Sequence, residues 1–251
     1  MIRNYICMLT YKEKEIPHFE WIANNKCVAG FSTRLGGVSS GVYESMNVGQ
    51  HSKDEKEHIL ENRNRFFSAV APQFSVKNLH QVHSADIVEV TDLFVNDTEA
   101  DGFFTMQKGV LLTISIADCG SVLFHDDEFS IVAGLHCGWR GTRDGIIQNM
   151  VEILSDYVPT EKLTAYIGPM IAQESYEVGS EFLNYFPKEF FTTKNDSLYF
   201  DLNACVATTL RQCGIKKIHN ANLDTYANRD LFFSYRRDGP TGRLCSYIGI
   251  K

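Results

Sequence analysis

Two apolar runs separated by three consecutive acidic residues constrain this chain more than any other feature. Residues 121–125 (SVLFH) and 129–136 (FSIVAGLH) flank Asp126, Asp127 and Glu128. Such a pattern predicts a β-hairpin with a tight polar turn. A hairpin excludes a purely parallel sheet, because its two strands must pair antiparallel. A tight turn that sets Asp126 opposite Phe129 sets His125 opposite Ser130 and, at the far end, Cys119 opposite His136. Directly opposed residues share a face, with Cβ atoms about 4.5–5.5 Å apart. A thiolate and an imidazole at that separation can converge on one metal ion.

The remaining pattern is of mixed type. Residues 26–32, 85–90, 164–168 and 216–219 read as strands, and 110–116 (VLLTISI) as a strand buried on both faces. Residues 54–70 carry apolar positions at helical spacing, with the charged run 53–57 as a solvated start. A second helix is expected after Thr142 as its cap, with Asp144 in its first turn and Ile146, Ile147, Met150, Ile153, Leu154 and Tyr157 on its apolar face. A third runs from Asp201 to about Cys213 and stops at Gly214. No repeat, linker or low-complexity stretch divides the chain, so residues 1–251 read as a single domain of mixed α+β class.

Composition narrows the function. With 44% hydrophobic residues and a net charge of −7, the chain is an ordinary globular protein and a poor general binder of nucleic acid. No run of about 18 apolar residues offers a membrane span, and residues 1–16 lack the long apolar stretch of a secretion signal. The seven cysteines, Cys7, Cys27, Cys119, Cys137, Cys205, Cys213 and Cys245, are odd in number, widely spaced and without C-x-x-C. They suit a reducing, cytoplasmic setting better than a disulfide framework.

A catalytic zinc site uses three protein ligands and keeps a position open. Cys119 and His136 supply two, and the third is expected from Leu79-His80-Gln81-Val82-His83. On a strand His80 and His83 point to opposite faces, so one of the two joins the site; the residues alone do not choose. Gly138-Trp139-Arg140-Gly141 follows His136, and a cation just ahead of a helix N-terminus suits an anion. Arg34 in the loop Arg34-Leu35-Gly36-Gly37 is a second candidate for phosphate, and Asn47 and Asp101 are candidates for holding substrate or supporting the ligands. Phe232, Phe233 and Tyr235 read as a strand-like core run, Arg236-Arg237 as a solvated pair, and residues 238–242 as a turn.

The strings FSTRLGGVSSG, SMNVGQHSKD, LHQVHSAD, EADGFFT, SIADCGSVLFHD, GLHCGWRGT, AYIGPMIAQESYEVG and FFSYRRDGPTGR resemble a bacterial family of purine nucleoside phosphorylases once labelled laccase-domain or multicopper polyphenol oxidases. The resemblance extends from about residue 27 to 250, and Q-V-H, A-D-C and H-x-G-W-R-G in that order are specific to it. It implies a four-layer α/β/β/α sandwich and a zinc site of His83, Cys119 and His136, which are also the expected catalytic residues. It implies phosphorolysis of adenosine, inosine, guanosine and methylthioadenosine, deamination of adenosine, and small-molecule partners, a nucleoside and phosphate. Some relatives are linked to editing of peptidoglycan precursors. The chain departs at Met170 and Ala172 in IGPMIA, at Gly120-Ser121 after A-D-C, and at residues 224–228. The oxidase label suits the residues poorly, since eight histidines without H-x-H make no multicopper cluster; copper could nonetheless occupy an N/S site in vitro. The same facing pair also suits a cysteine hydrolase or amidase, with Cys119 as nucleophile and His136 as base.

Overall fold

The structure is a computed structural model and describes residues 9–251. Cys7 and part of the segment 1–16 lie outside it. Two large mixed sheets form the centre. The first has seven strands in the spatial order Thr10–Lys12, His18–Ala23, Cys27–Ser32, Leu244–Ile250, Val110–Ile116, Ser75–His80 and Thr98–Glu99. The second has six, in the order Lys217–Asn220, Leu163–Ile167, Gly120–Asp126, Val132–Cys137, Gly102–Thr105 and Ile87–Glu89. Both combine parallel and antiparallel neighbours.

The helices are α1 (Lys56–Val70), α2 (Trp139–Arg143), α3 (Ile146–Ser155), α4 (Leu202–Gln212) and α5 (Tyr235–Asp238). The inner faces of the sheets meet through Leu112, Ile114 and Ile248 on one side and Phe103, Leu123 and Val132 on the other. Phe66 and Phe67 of α1 cover the outer face of the first sheet, against Val28, Leu111 and Tyr247. Ile147, Met150 and Leu154 of α3 and Val206 and Leu210 of α4 cover the outer face of the second, against Phe124, Ala133 and Cys137. The layers are therefore α/β/β/α. Val110–Ile116 lies inside this stack with both faces covered, which is why its sequence is mostly apolar, with Thr113 and Ser115 as its two polar positions.

The hairpin forms, but its register differs from the tight-turn expectation. His125 pairs with Val132 and His136 with Ser121, so Cys119 is not directly opposite His136. The cause is the Asp126 side chain. Its Oδ1 accepts the N–H groups of Ser130 and Ile131 at 2.6 and 3.0 Å, and its Oδ2 accepts Glu128 N–H at 3.2 Å and Ser130 Oγ–H at 3.0 Å. This carboxylate organises a longer turn, with Phe129 in the left-handed region at φ 58°. The shift is even, so the alternation of faces survives and His136 still shares the face of Cys119.

Other boundaries moved for similar local reasons. Thr142 is not a cap: it sits within α2, and its buried Oγ1 has no hydrogen-bond partner among the described residues. Gly145, at φ 89°, separates α2 from α3. Asp201 does cap α4, accepting Ala204 N–H at 2.8 Å, and Gly214 follows at φ 89°. Residues 232–235 form no strand; Phe232 and Phe233 are core, and Ser234 caps α5 through Arg237 N–H.

Candidate metal centre

The Val132–Cys137 strand presents Val132, Gly134 and His136 to the inter-sheet layer and Cys137 to the helical side. His136 is the last of its row, so its ring emerges where that layer opens. Cys119 lies one residue ahead of its strand, after Asp118 at φ 96°. The third group comes from beyond the end of Ser75–His80. The chain leaves that strand at His80, and His83 adopts φ 63°. The ligand atoms of His83, Cys119 and His136 lie within 4.8 Å of one another. Cys119 Sγ and His83 Nε2 are 4.0 Å apart. That is shorter than the roughly 4.3 Å spanned by a zinc–sulfur and a zinc–nitrogen bond laid end to end.

Asp101 organises the cluster. It is fully buried, and its Oδ1 lies 2.6 Å from His136 Nδ1. The carboxylate requires a proton on Nδ1 and leaves Nε2 for the cluster. Oδ2 accepts the N–H groups of Val82 at 3.0 Å and Ser84 at 2.7 Å, the residues on either side of His83. One carboxylate thus sets the tautomer of one histidine and clamps the left-handed turn that carries the other. Left-handed backbone is unfavourable for a residue with a Cβ, and the two clamping bonds hold it. Gly138 completes the cradle: a Cβ there would lie 3.0 Å from His83 Cδ2, 3.2 Å from Cys119 Sγ and 3.6 Å from His136 Cε1.

The electrostatics favour an ionised sulfur. Burial alone would push the Cys119 thiol up, but the His136 charge and hydrogen bonds from His136 and His83 outweigh it and bring it down to about 6. Burial would favour a neutral His136, but the Cys119 thiolate and Asp101 outweigh it and raise the imidazole to about 9. A divalent ion entering the cluster would take the place of that imidazolium proton. A soft thiolate and two imidazoles, one second nitrogen anchored by a carboxylate, form a donor set suited to zinc.

The cluster forms the floor of a cleft of about 500 Å³, a volume in the range of small-ligand sites. His83 is exposed and Cys119 half-buried, so the open side of the cluster faces the cleft. His80 lines the cleft but stays off the cluster, stacked on His51 at 4.4 Å and 3.6 Å from Glu99.

A family model described as multi-copper polyphenol oxidoreductase laccase matches residues 28–251. The chain belongs to this family. It is 33% identical over 237 residues to a protein of Escherichia coli K12 named purine nucleoside phosphorylase YfiH, covering 92% of this chain and 97% of that one. It is 34% identical over 230 residues to a purine nucleoside phosphorylase of Deinococcus radiodurans, covering 88% of each. Among solved structures, YlmD from Geobacillus stearothermophilus is similar with a TM-score of 0.88 and 29% identity, over 96% of this chain and 98% of that one.

The other residues singled out in this member of the laccase-type family have different placements. Arg34 is used internally: Nε and Nη2 donate to Glu44 O and Nη1 to Arg229 O, the guanidinium lies over Phe233, and it does not line the cleft. Arg140 is exposed, rests 4.3 Å from the Trp139 ring centroid, lies within α2 rather than ahead of a long helix, and does not line the cleft. Asn47 is buried beneath the cleft wall; its Oδ1 accepts Gly49 N–H and Arg243 N–H, and its Nδ2 donates to Ser52 and Asp54. Asp54 is thereby a structural acceptor rather than part of a solvated run. The sequence reading missed Arg236, Arg243 and Tyr176, all of which line the cleft. Two of them sit in FFSYRRDGPTGR, where the pair of cations was read as solvated. In the structure Arg237 is tied to Asp238 and to the carbonyls of Thr225, Tyr226 and Phe232, and Arg236 turns to the cleft. Among the described residues, no helix is long and apolar enough to cross a membrane.

Proposed function

We propose that this protein is a zinc-dependent purine nucleoside phosphorylase that also deaminates adenosine, with adenosine, inosine, guanosine and methylthioadenosine as its substrate range. The observation that carries the reading is the convergence of His83, Cys119 and His136 on the floor of a nucleoside-sized cleft, in a chain about one-third identical to proteins named purine nucleoside phosphorylase. Zinc held by this trio would supply Lewis acidity at the base of the cleft.

The chain's own groups do the rest. Asp101 keeps His136 in the tautomer with Nε2 free and fixes the His83 turn, so the donor set is organised before substrate arrives. Tyr176 and Tyr235 line the same cleft, and aromatic side chains pack well against a flat purine.

The test is a product screen with metal analysis. Protein purified without chelators is expected to carry about one zinc per chain, to release purine base from inosine only with phosphate, and to convert adenosine to inosine without it. A protein that carries zinc yet leaves all four nucleosides intact would refute the reading. The depressed Cys119 thiol beside a protonated His136 supports a second reading, a metal-free cysteine hydrolase. That reading requires freshly purified protein to lack metal and to lose Cys119 to iodoacetamide at neutral pH. Bound zinc that protects the thiol would eliminate it.

A further inference from the structure

The cleft contains two arginines that the metal centre does not use. Arg243 runs along Gly49 so closely that a Cβ there would lie 2.6 Å from Arg243 Cγ. Its Nη1 donates to Thr241 O at 2.8 Å and Gly242 O at 3.1 Å. Its backbone N–H is held by Asn47 Oδ1 at 2.8 Å, the same oxygen that holds Gly49. Arg236 lies 5.1 Å from the Tyr176 ring centroid, and its Nη1 donates to Glu177 O at 2.7 Å. Its backbone N–H is held by Asp118 Oδ2 at 2.7 Å. Among the described residues, neither guanidinium has a carboxylate partner, and Nε and Nη2 of each have no acceptor. Asp118 also lines the cleft, but its oxygens are taken by Thr225 Oγ–H and Arg236 N–H.

These are cations positioned by their backbones and stems, with donors left over, on the walls of the cleft whose floor is the metal cluster. Planar guanidinium groups with free N–H pairs match the oxygens of a tetrahedral dianion. The cations first favoured by sequence lack this property. Arg34 spends its donors on carbonyls, and Arg140 lies outside the cleft.

We propose that Arg243 and Arg236 form the anion subsite of the cleft and hold inorganic phosphate beside His83, Cys119 and His136. Naming phosphate rests on the phosphorylase reading. In that reaction an oxygen of hydrogen phosphate forms a bond to C1′ of the nucleoside. The C1′–N9 bond breaks with its electron pair passing to the purine. The proton of hydrogen phosphate ends on the base, giving free purine and ribose 1-phosphate. The two guanidiniums orient the dianion and offset its charge as it approaches C1′.

The test uses full-length Arg243→Gln, Arg243→Lys and Arg236→Gln proteins with inosine and inorganic phosphate. Loss of a charge-assisted bond is expected to raise the phosphate KM on the order of tenfold to a hundredfold. Zinc content is expected to stay at the wild-type level and the inosine KM to change by less than threefold. Arg243→Lys keeps the charge without the fork and falls between wild type and Arg243→Gln, which separates anion binding from misfolding. An unchanged phosphate KM in Arg243→Gln and Arg236→Gln, with wild type active, would overturn the subsite; so would a comparable rise confined to Arg140→Ala. If wild type performs no phosphorolysis, the phosphorylase reading fails by itself. The subsite is then judged by calorimetric titration of phosphate: saturable binding to wild type that weakens in Arg243→Gln supports it, and no binding to wild type overturns it.

Discussion

Asp101→Asn isolates how His83, Cys119 and His136 would be held for a metal ion. The carboxylate accepts three hydrogen bonds, one from His136 Nδ1–H and two from the N–H groups that flank His83. An amide of the same size has one acceptor oxygen and one NH₂. If the oxygen faces His136, the NH₂ meets the N–H groups of Val82 and Ser84, donor against donor. If it faces the turn, the NH₂ meets His136 and favours the tautomer with the proton on Nε2, where the metal must bind. Each orientation satisfies one histidine and disables the other. Removing a group that orients a metal-bound histidine typically costs 10–100-fold in metal affinity. Asp101 serves both histidines, so zinc affinity is expected to fall on the order of a hundredfold. Stability of the metal-free protein should fall by about 2–3 kcal/mol, from losing charge-assisted bonds worth about 1.5–3 kcal/mol each. Zinc affinity is read by competition with a chromogenic chelator, and stability by urea unfolding of metal-stripped protein. A zinc dissociation constant within threefold of wild type would refute the reasoning, since it would mean that the amide supports both histidines or that neither needs support.

Gly138→Ala should lower zinc affinity without unfolding the chain. Its backbone, at φ −74°, accepts alanine, while the new Cβ presses on His83, Cys119 and His136 at 3.0–3.6 Å; wild-type zinc affinity would show that the cradle has slack. Cys137→Ala and His80→Ala should retain full zinc, since Cys137 faces the helical core and His80 stacks on His51; elemental analysis showing less than half-occupancy in either would put that residue in the ligand set. Asp126→Ala should cost about 2–3 kcal/mol by removing the acceptor for three turn amides and the Ser130 hydroxyl. Burial raises the Asp126 pKa, but the hydrogen bonds outweigh it and hold it below the ordinary carboxylate value. Its contribution is therefore complete above about pH 4 and fades as the pH falls through the lower, folded-state value. A wild-type-minus-mutant stability difference that grows on acidification would contradict this.

Short-range chemistry was legible in the sequence. The mostly apolar run 110–116 marked its strand to the residue, because a strand covered on both faces carries apolar side chains on both. Asp201 and Gly214 bounded their helix, because a side-chain acceptor and a left-handed glycine act within four residues. Strand alternation placed His136 on one face and Cys137 on the other, whatever the hairpin register. Motif strings selected His83 over His80, which the residues themselves had left open. What needed the tertiary structure was every relation made through space. The hairpin register depended on a carboxylate folding back over its own turn. The position of His83 depended on Asp101, which also holds His136. Arg236 read as a solvated residue and Arg243 was not singled out, because their neighbours in sequence say nothing of Cys119. They reach its cleft because Leu244–Ile250 pairs with Val110–Ile116, the strand that leads to Cys119, and because Asp118 binds the Arg236 amide. Periodicity records which face of an element is buried. Which distant loops meet at the end of the sheets is decided only when those buried faces pack together.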